Sequence, residues 1–91
     1  MAWVVYILRC SDDSLYTGIT KDLDRRLKEH NSDNTKAARY TRARRPVSLA
    51  YQENCQDRSH ASQREHQLKQ LSREQKLLLL AQNESTLATN E

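Results

Sequence analysis

A few residues of this sequence have side chains suited to work on a phosphate, and their spacing groups them. Tyr6 and Tyr16 lie in two separate apolar stretches, and Gly18, the only glycine, follows Tyr16 by two positions. In a strand, that spacing turns both positions to one side and leaves that side open beside the phenol. Arg26 and His30 lie one helical turn apart. Glu65 falls with Ala61, Leu68 and Ser72 at i, i+4, i+7 and i+11, on or beside an inward helical stripe. Phenol and imidazole can carry protons, and a guanidinium matches phosphate. A single carboxylate suffices for Mg²⁺, because water and substrate phosphate complete its shell.

Each feature also has a structural reading. A strand glycine can serve packing alone, a buried tyrosine needs only one hydrogen bond, and Glu65 could be satisfied by a salt bridge to Arg26. Other chemistries lack their motifs. His60 and His66 form no metal pattern, and Cys10 and Cys55 have no zinc-site spacing. With one glycine there is neither a nucleophile elbow nor a Gly-rich phosphate loop.

The elements that must position these residues follow from periodicity. Trp3 to Leu8 is a continuous apolar run, expected of a strand covered on both faces. Ser11–Ser14 is turn chemistry, and Leu15–Thr20 returns as the second strand of an antiparallel hairpin. Thr20 is placed to cap a helix over 21–31, whose Leu23, Arg26, Leu27 and His30 share one side. A polar connector, with one helical turn near 37–40, leads to a half-buried strand in which Val47, Leu49 and Tyr51 alternate with polar or small residues. Asp57 or Ser59 opens a helix to about Gln70, and Ser72 with Gln75 has capping-box spacing for a last helix through Leu77–Leu80. The predicted fold is α+β, a three-stranded antiparallel sheet with flanking helices in the order β-β-α-β-α-α.

Composition bounds the function. At 91 residues the chain is one small domain, assigned to 1–82, with 83–91 read as a frayed, disordered tail. A domain of this size buries only about 60% of its unfolded surface, so its sites should be shallow. Net charge is +3, and the stretch from Lys36 to Arg45 carries Lys36, Arg39, Arg42, Arg44 and Arg45 without an acid. Such a cluster suits phosphate contacts, although a solvated basic loop looks the same in sequence. No stretch reaches membrane-span length, and the expected location is the cytoplasm with reduced thiols.

These residues, taken in order, resemble the GIY-YIG nuclease superfamily, in its small stand-alone bacterial branch. Val4-Val5-Tyr6 and Tyr16-Thr17-Gly18 resemble its two signature triplets, and Thr20 to His30 resembles the segment bearing its arginine and histidine. Tyr40 to Pro46 is similar to a basic motif of this branch, and Ala61 to Lys69 to the segment with the metal-binding glutamate. Valines replace Gly-Ile in the first triplet and Thr17 replaces Ile in the second; the late asparagine of larger members has no assignable counterpart.

The resemblance implies a metal-dependent endonuclease acting on DNA, structure-guided or weakly sequence-specific, in repair or recombination. Catalytic roles fall to Tyr6, Tyr16, Arg26, His30 and Glu65, with Glu65 holding Mg²⁺ or another small divalent metal. Tyr6 is the first choice for the base and Tyr16 positions phosphate, the reverse being nearly as plausible. A free phenol titrates near pH ~10, so the expectation is that Arg26 and the metal draw it down. Gly18, Arg42, Arg44, Arg45 and Lys69 are assigned to the nucleic-acid backbone, RNA remaining open beside DNA. The alternatives are a non-catalytic nucleic-acid-binding module and an adaptor whose Leu77–Leu80 helix docks on a larger repair or recombination protein.

Overall fold

The apolar run at the start of the chain is continuous because its strand is central. β1 (Trp3–Arg9) lies between β2 (Leu15–Thr20) and β3 (Ser48–Cys55), antiparallel to both, giving the order β2-β1-β3. This computed structural model describes residues 3–89, with side chains through residue 82. Val5 and Ile7 enter one buried cluster with Cys55, Ala61, Leu68 and Leu80. Tyr6 and Leu8 enter a second with Cys10 and Val47, against which Tyr16, Leu23 and Leu27 pack.

Helices cover both faces. α1 (Leu23–Ser32) packs by Leu23 and Leu27 on the Tyr6 side, whereas α3 (Arg58–Gln70) and α4 (Arg73–Thr89) supply Ala61, Leu68 and Leu80 to the Val5 side. A short α2 (Arg39–Arg42) interrupts the connector, slightly later than the turn expected near 37–40. The α+β architecture is therefore the predicted one, with α2 added to the β-β-α-β-α-α order.

Two local expectations change. Thr20 does not cap α1. Asp22 does, its Oδ1 accepting the Arg25 N–H at 3.1 Å, while Thr20 Oγ1 accepts the Asp22 N–H one step earlier. A carboxylate is the stronger acceptor at the positive helix end, so the helix begins two residues later than expected.

The regular alternation of Val47, Leu49 and Tyr51 is also broken. Tyr51 pairs with Ile7 but Leu49 pairs with Leu8, an irregularity that sends these two side chains to opposite faces. Leu49 ends up exposed.

The remaining caps are as read. Asp57 Oδ1 accepts the His60 N–H at 2.8 Å. Ser72 and Gln75 exchange reciprocal bonds of 2.9 and 3.1 Å, completing the capping box of α4. The tail expected over 83–91 concerns side chains outside the described residues.

Candidate active site

Tyr6 and Gly18 face each other directly across β1 and β2. A Cβ at position 18 would lie 2.5 Å from Tyr6 Oη and 2.7 Å from Cζ. The space left by the glycine is therefore filled by the Tyr6 ring, and does not stand open beside Tyr16 as the spacing within β2 suggests. Gly18 is the seat of the first phenol, which leaves no open surface there for the nucleic-acid contact assigned to it.

From that seat Tyr6, only 1% exposed, reaches α1. Its Oη lies 2.9 Å from His30 Nε2, and His30 Nδ1 lies 2.7 Å from Thr41 Oγ1. Thr41 donates its one hydroxyl hydrogen to the Ala38 carbonyl at 3.0 Å, so toward His30 its oxygen can only accept. The imidazole must then carry its hydrogen on Nδ1 and offer the Nε2 lone pair to the Tyr6 hydroxyl. Burial pushes the His30 pKa down to about 4, with Arg26 and Arg45 adding to the effect and Glu29 opposing it. His30 is neutral at neutral pH and fully buried.

Tyr6 departs from expectation in the other direction. Its pKa is pushed up to about 12, first by burial and then by Tyr16, with Glu65 adding to the rise. Arg26 lies close enough to the hydroxyl to favour the phenolate, but does not outweigh the loss of solvent. Arg26 exerts the downward pull expected of it, but burial outweighs it, because a phenol buried this deeply loses more hydration as an anion than one guanidinium returns. Tyr16, Arg26 and Glu65 all lie near enough to act electrostatically on the Tyr6 hydroxyl.

Tyr16 closes the site with its ring edge toward His30, centroids 5.3 Å apart, and stacks on Tyr40 at 5.9 Å. Arg26 is held by two acceptors, Glu29 Oε1 at 3.1 Å and the Lys36 carbonyl at 2.6 Å. The salt bridge considered between Glu65 and Arg26 is absent among the described residues. Glu65 is 26% exposed and pairs instead with Lys69, one turn along α3, at 3.4 Å. Its neighbour Arg64 anchors α3 to β3, donating through Nε and Nη2 to Glu53 at 2.7 and 3.1 Å. That fork limits rotation of α3 and so helps to fix where Glu65 points.

Comparison with known proteins gives the family. Residues 2–77 match the model of the GIY-YIG catalytic domain. The chain belongs to the GIY-YIG family. The UPF0213 protein of Desulfotalea psychrophila is 57% identical over 83 residues, covering 91% of this chain and 74% of that protein. A UPF0213 protein of Staphylococcus saprophyticus is 46% identical over 86% of this chain and 93% of its own length. Two solution NMR structures are similar. The UPF0213 protein of Bacillus halodurans has TM-score 0.56 and 42% identity, covering 89% of this chain and 84% of that one. A protein of E. faecalis has TM-score 0.62 and 36% identity, covering 92% and 88%.

GIY-YIG is a nuclease family, and its two signature triplets here lie side by side through the Tyr6–Gly18 pair. Thr17, standing where the second triplet has Ile, is buried opposite Ile7, and its hydroxyl finds no hydrogen-bond partner. It occupies a packing position with a polar atom.

The family's nucleases generally use divalent metals, and the donors here fit only one kind of metal site. No group of three His, Cys, Asp or Glu that could hold an ion occurs among the described residues. Glu65 alone, partly exposed, suits a hard cation that keeps most of its waters. It does not suit a closed protein cage.

The arginines of the basic connector are engaged within the protein. Arg45 donates to the His30 carbonyl at 2.6 Å, to Asn34 Oδ1 at 2.8 Å and to the Asp33 carbonyl at 3.0 Å. Arg42 holds the Asn34 carbonyl at 2.6 Å, and Arg44 holds Asp12 and the Tyr40 carbonyl. Arg44 also lies over the Tyr40 ring at 3.9 Å. Arg45 and Arg42 brace the connector against the end of α1, and Arg44 ties it to the hairpin turn. Arg45 is committed inward, whereas Arg42 keeps an exposed head with donors to spare.

Thr41 and Tyr40 were missed as site residues, although both lie inside the basic motif. The signal was a hydroxyl and an aromatic ring placed among arginines. No helix among the described residues is long and apolar enough to cross a membrane.

Proposed function

We propose that this protein is a metal-assisted endonuclease that hydrolyses DNA phosphodiester bonds, structure-guided or weakly sequence-specific, serving repair or recombination. The observation that carries the reading is the buried Tyr6–His30–Thr41 chain, whose hydrogen-bond direction aims the phenol's proton at a neutral imidazole. Tyr6 then acts as a proton shuttle without needing to exist as phenolate. As its Oη takes a proton from the attacking water, its own proton passes to His30 Nε2, leaving hydroxide for phosphorus and an imidazolium still held by Thr41. The water's O–H bond breaks, the O–P bond forms, and the scissile P–O bond releases its oxygen.

A phosphate drawn to Arg26 offsets one of the cations that hold His30 neutral, so substrate binding itself raises the imidazole's proton affinity. Arg26 stabilises charge growing on the phosphoryl oxygens, and Tyr16 orients the phosphate. Glu65 would hold Mg²⁺, which when bound supplies Lewis-acid stabilisation of the phosphate and the leaving oxygen. Lys69 already neutralises that carboxylate and is mostly exposed, so a cation competes with it at little cost.

The test is incubation of plasmid and of nicked, flapped and branched duplexes with and without Mg²⁺. Metal-dependent cleavage is expected, lowered on the order of 10²-fold or more in Glu65→Ala and in Arg26→Ala. Salt-sensitive binding by the wild type with no cleavage under any metal would replace this reading with a non-catalytic binding module.

A further inference from the structure

Beside the site, and separated from Tyr16 only by the Tyr40 ring stacked on it, lies a cleft of about 190 Å³ lined by Ser14, Leu15, Tyr40, Arg73 and Lys76. Its walls come from four parts of the chain: the hairpin turn, the first residue of β2, α2 and the first turn of α4. Two lining residues are cations spaced i, i+3 on α4, which puts both on one side of that helix. Leu15 supplies an apolar surface, and Tyr40, 37% exposed, is held flat between Tyr16 and Arg44.

Arg73 is held only loosely. Its one partner among the described residues is Asp13 Oδ2 at 3.4 Å, with both side chains more than half exposed. Lys76 has no ion pair among the described residues. Positive side chains over a small concavity with an aromatic wall are what a nucleic-acid strand requires: cations for the phosphate, an aromatic and aliphatic surface for the sugar or base.

The geometry points to this cleft as a second substrate subsite, holding the phosphodiester and base of a nucleotide adjacent to the one cut. The inference rests on the phosphodiesterase reading for its purpose, but not for its test. Arg73 and Lys76 bind the neighbouring phosphate, and the exposed edge of Tyr40 with Leu15 receives the base or sugar. Tyr40 thus ties the subsite to the reacting centre through Tyr16. This role also explains why a partly exposed tyrosine is braced by Tyr16 and Arg44: a preordered ring loses little freedom when a nucleotide packs against its edge.

The experiment measures binding of fluorescein-labelled 12-nucleotide oligodeoxynucleotide and oligoribonucleotide in EDTA, over a salt series, so that no turnover is required. The double variant Arg73→Ala/Lys76→Ala should bind about tenfold more weakly at low salt. Its slope of log K against log salt should fall by about 1.4, as expected for two lost single-strand phosphate contacts. Tyr40→Leu should weaken binding several-fold without changing the slope.

Arg25→Ala/Lys28→Ala removes two exposed cations from α1 and is expected to leave binding close to wild type. Equal losses in the two double variants would assign the effect to net charge and overturn the subsite, as would unchanged affinity and slope in Arg73→Ala/Lys76→Ala. A preference for one sugar decides between DNA and RNA strands. Cleft-dependent binding by a wild type that cleaves nothing would leave the subsite standing while the hydrolytic reading falls.

Discussion

The two faces of the sheet differ in what they bury. Behind Val5 and Ile7 the buried cluster is apolar, closed by Ala61, Leu68 and Leu80, with the unpartnered hydroxyl of Thr17 beside it and the Glu53–Arg64 pair at its half-buried margin. Behind Tyr6 and Leu8 the protein buries His30 and Thr41 as well, with every polar atom of that chain paired. The first face holds the domain together by area removed from water. The second gives up some of that area to fix a proton's direction. In a chain of 91 residues one face must carry the stability that the other spends on its polar network.

Acidification should separate the two faces most strongly. His30 is held near pKa 4 in the folded protein against an ordinary 6.5, so the unfolded chain binds the proton more readily. The contribution is complete above pH 6.5 and drains away as pH falls toward 4, on the order of 3 kcal/mol at most. Carboxylates held low, such as Glu53 beside Arg64, add their own losses only below their ordinary range, near pH ~4.3. Urea unfolding between pH 7 and 4.5 therefore isolates the imidazole. An NMR titration showing His30 protonated at pH 6 would contradict the account.

A smaller effect should come from one methyl group on the polar face. In Gly18→Ala the new Cβ meets a Tyr6 ring that is buried and hydrogen-bonded, so it cannot swing aside. We expect a loss of about 1–3 kcal/mol, and metal-dependent nicking should fall with it, because the Tyr6 to His30 bond must lengthen. Thermal unfolding and the plasmid assay read both, and retention of full activity would show that the seat is not required.

The smallest change is expected on the apolar face, and it has the opposite sign. Thr17→Val replaces a buried, unpaired hydroxyl with a methyl, and should raise stability by about 0.5–1 kcal/mol with activity unaltered. Destabilisation would mean that the hydroxyl has a partner after all, and would blur the contrast between the faces.

Much of this arrangement was legible in the sequence where the controlling interactions are local. The caps at Asp57 and at Ser72 with Gln75 depend on residues three apart, and both formed. That β1 is covered on both faces followed from its continuous apolar run, and the inward placement of Ala61 and Leu68 from helical period. Thr20 failed as a cap because a better acceptor stood two residues on. Leu49 failed as a core residue because an irregularity in the β1–β3 pairing cannot be seen from one strand.

What the sequence determined by itself was the inventory: two phenols, one glycine, an arginine and a histidine a turn apart, and a carboxylate on a helical stripe. Tertiary structure decided which phenol takes the glycine's space, that Tyr6 is driven up and His30 down, and that Arg45 braces α1 instead of facing outward. The reason is physical. Residue type and period are fixed within a few positions, whereas protonation and partner choice depend on how much water is excluded and which charges from distant segments arrive. Tyr6 meets its imidazole 24 residues away, and that histidine meets its threonine 11 further on.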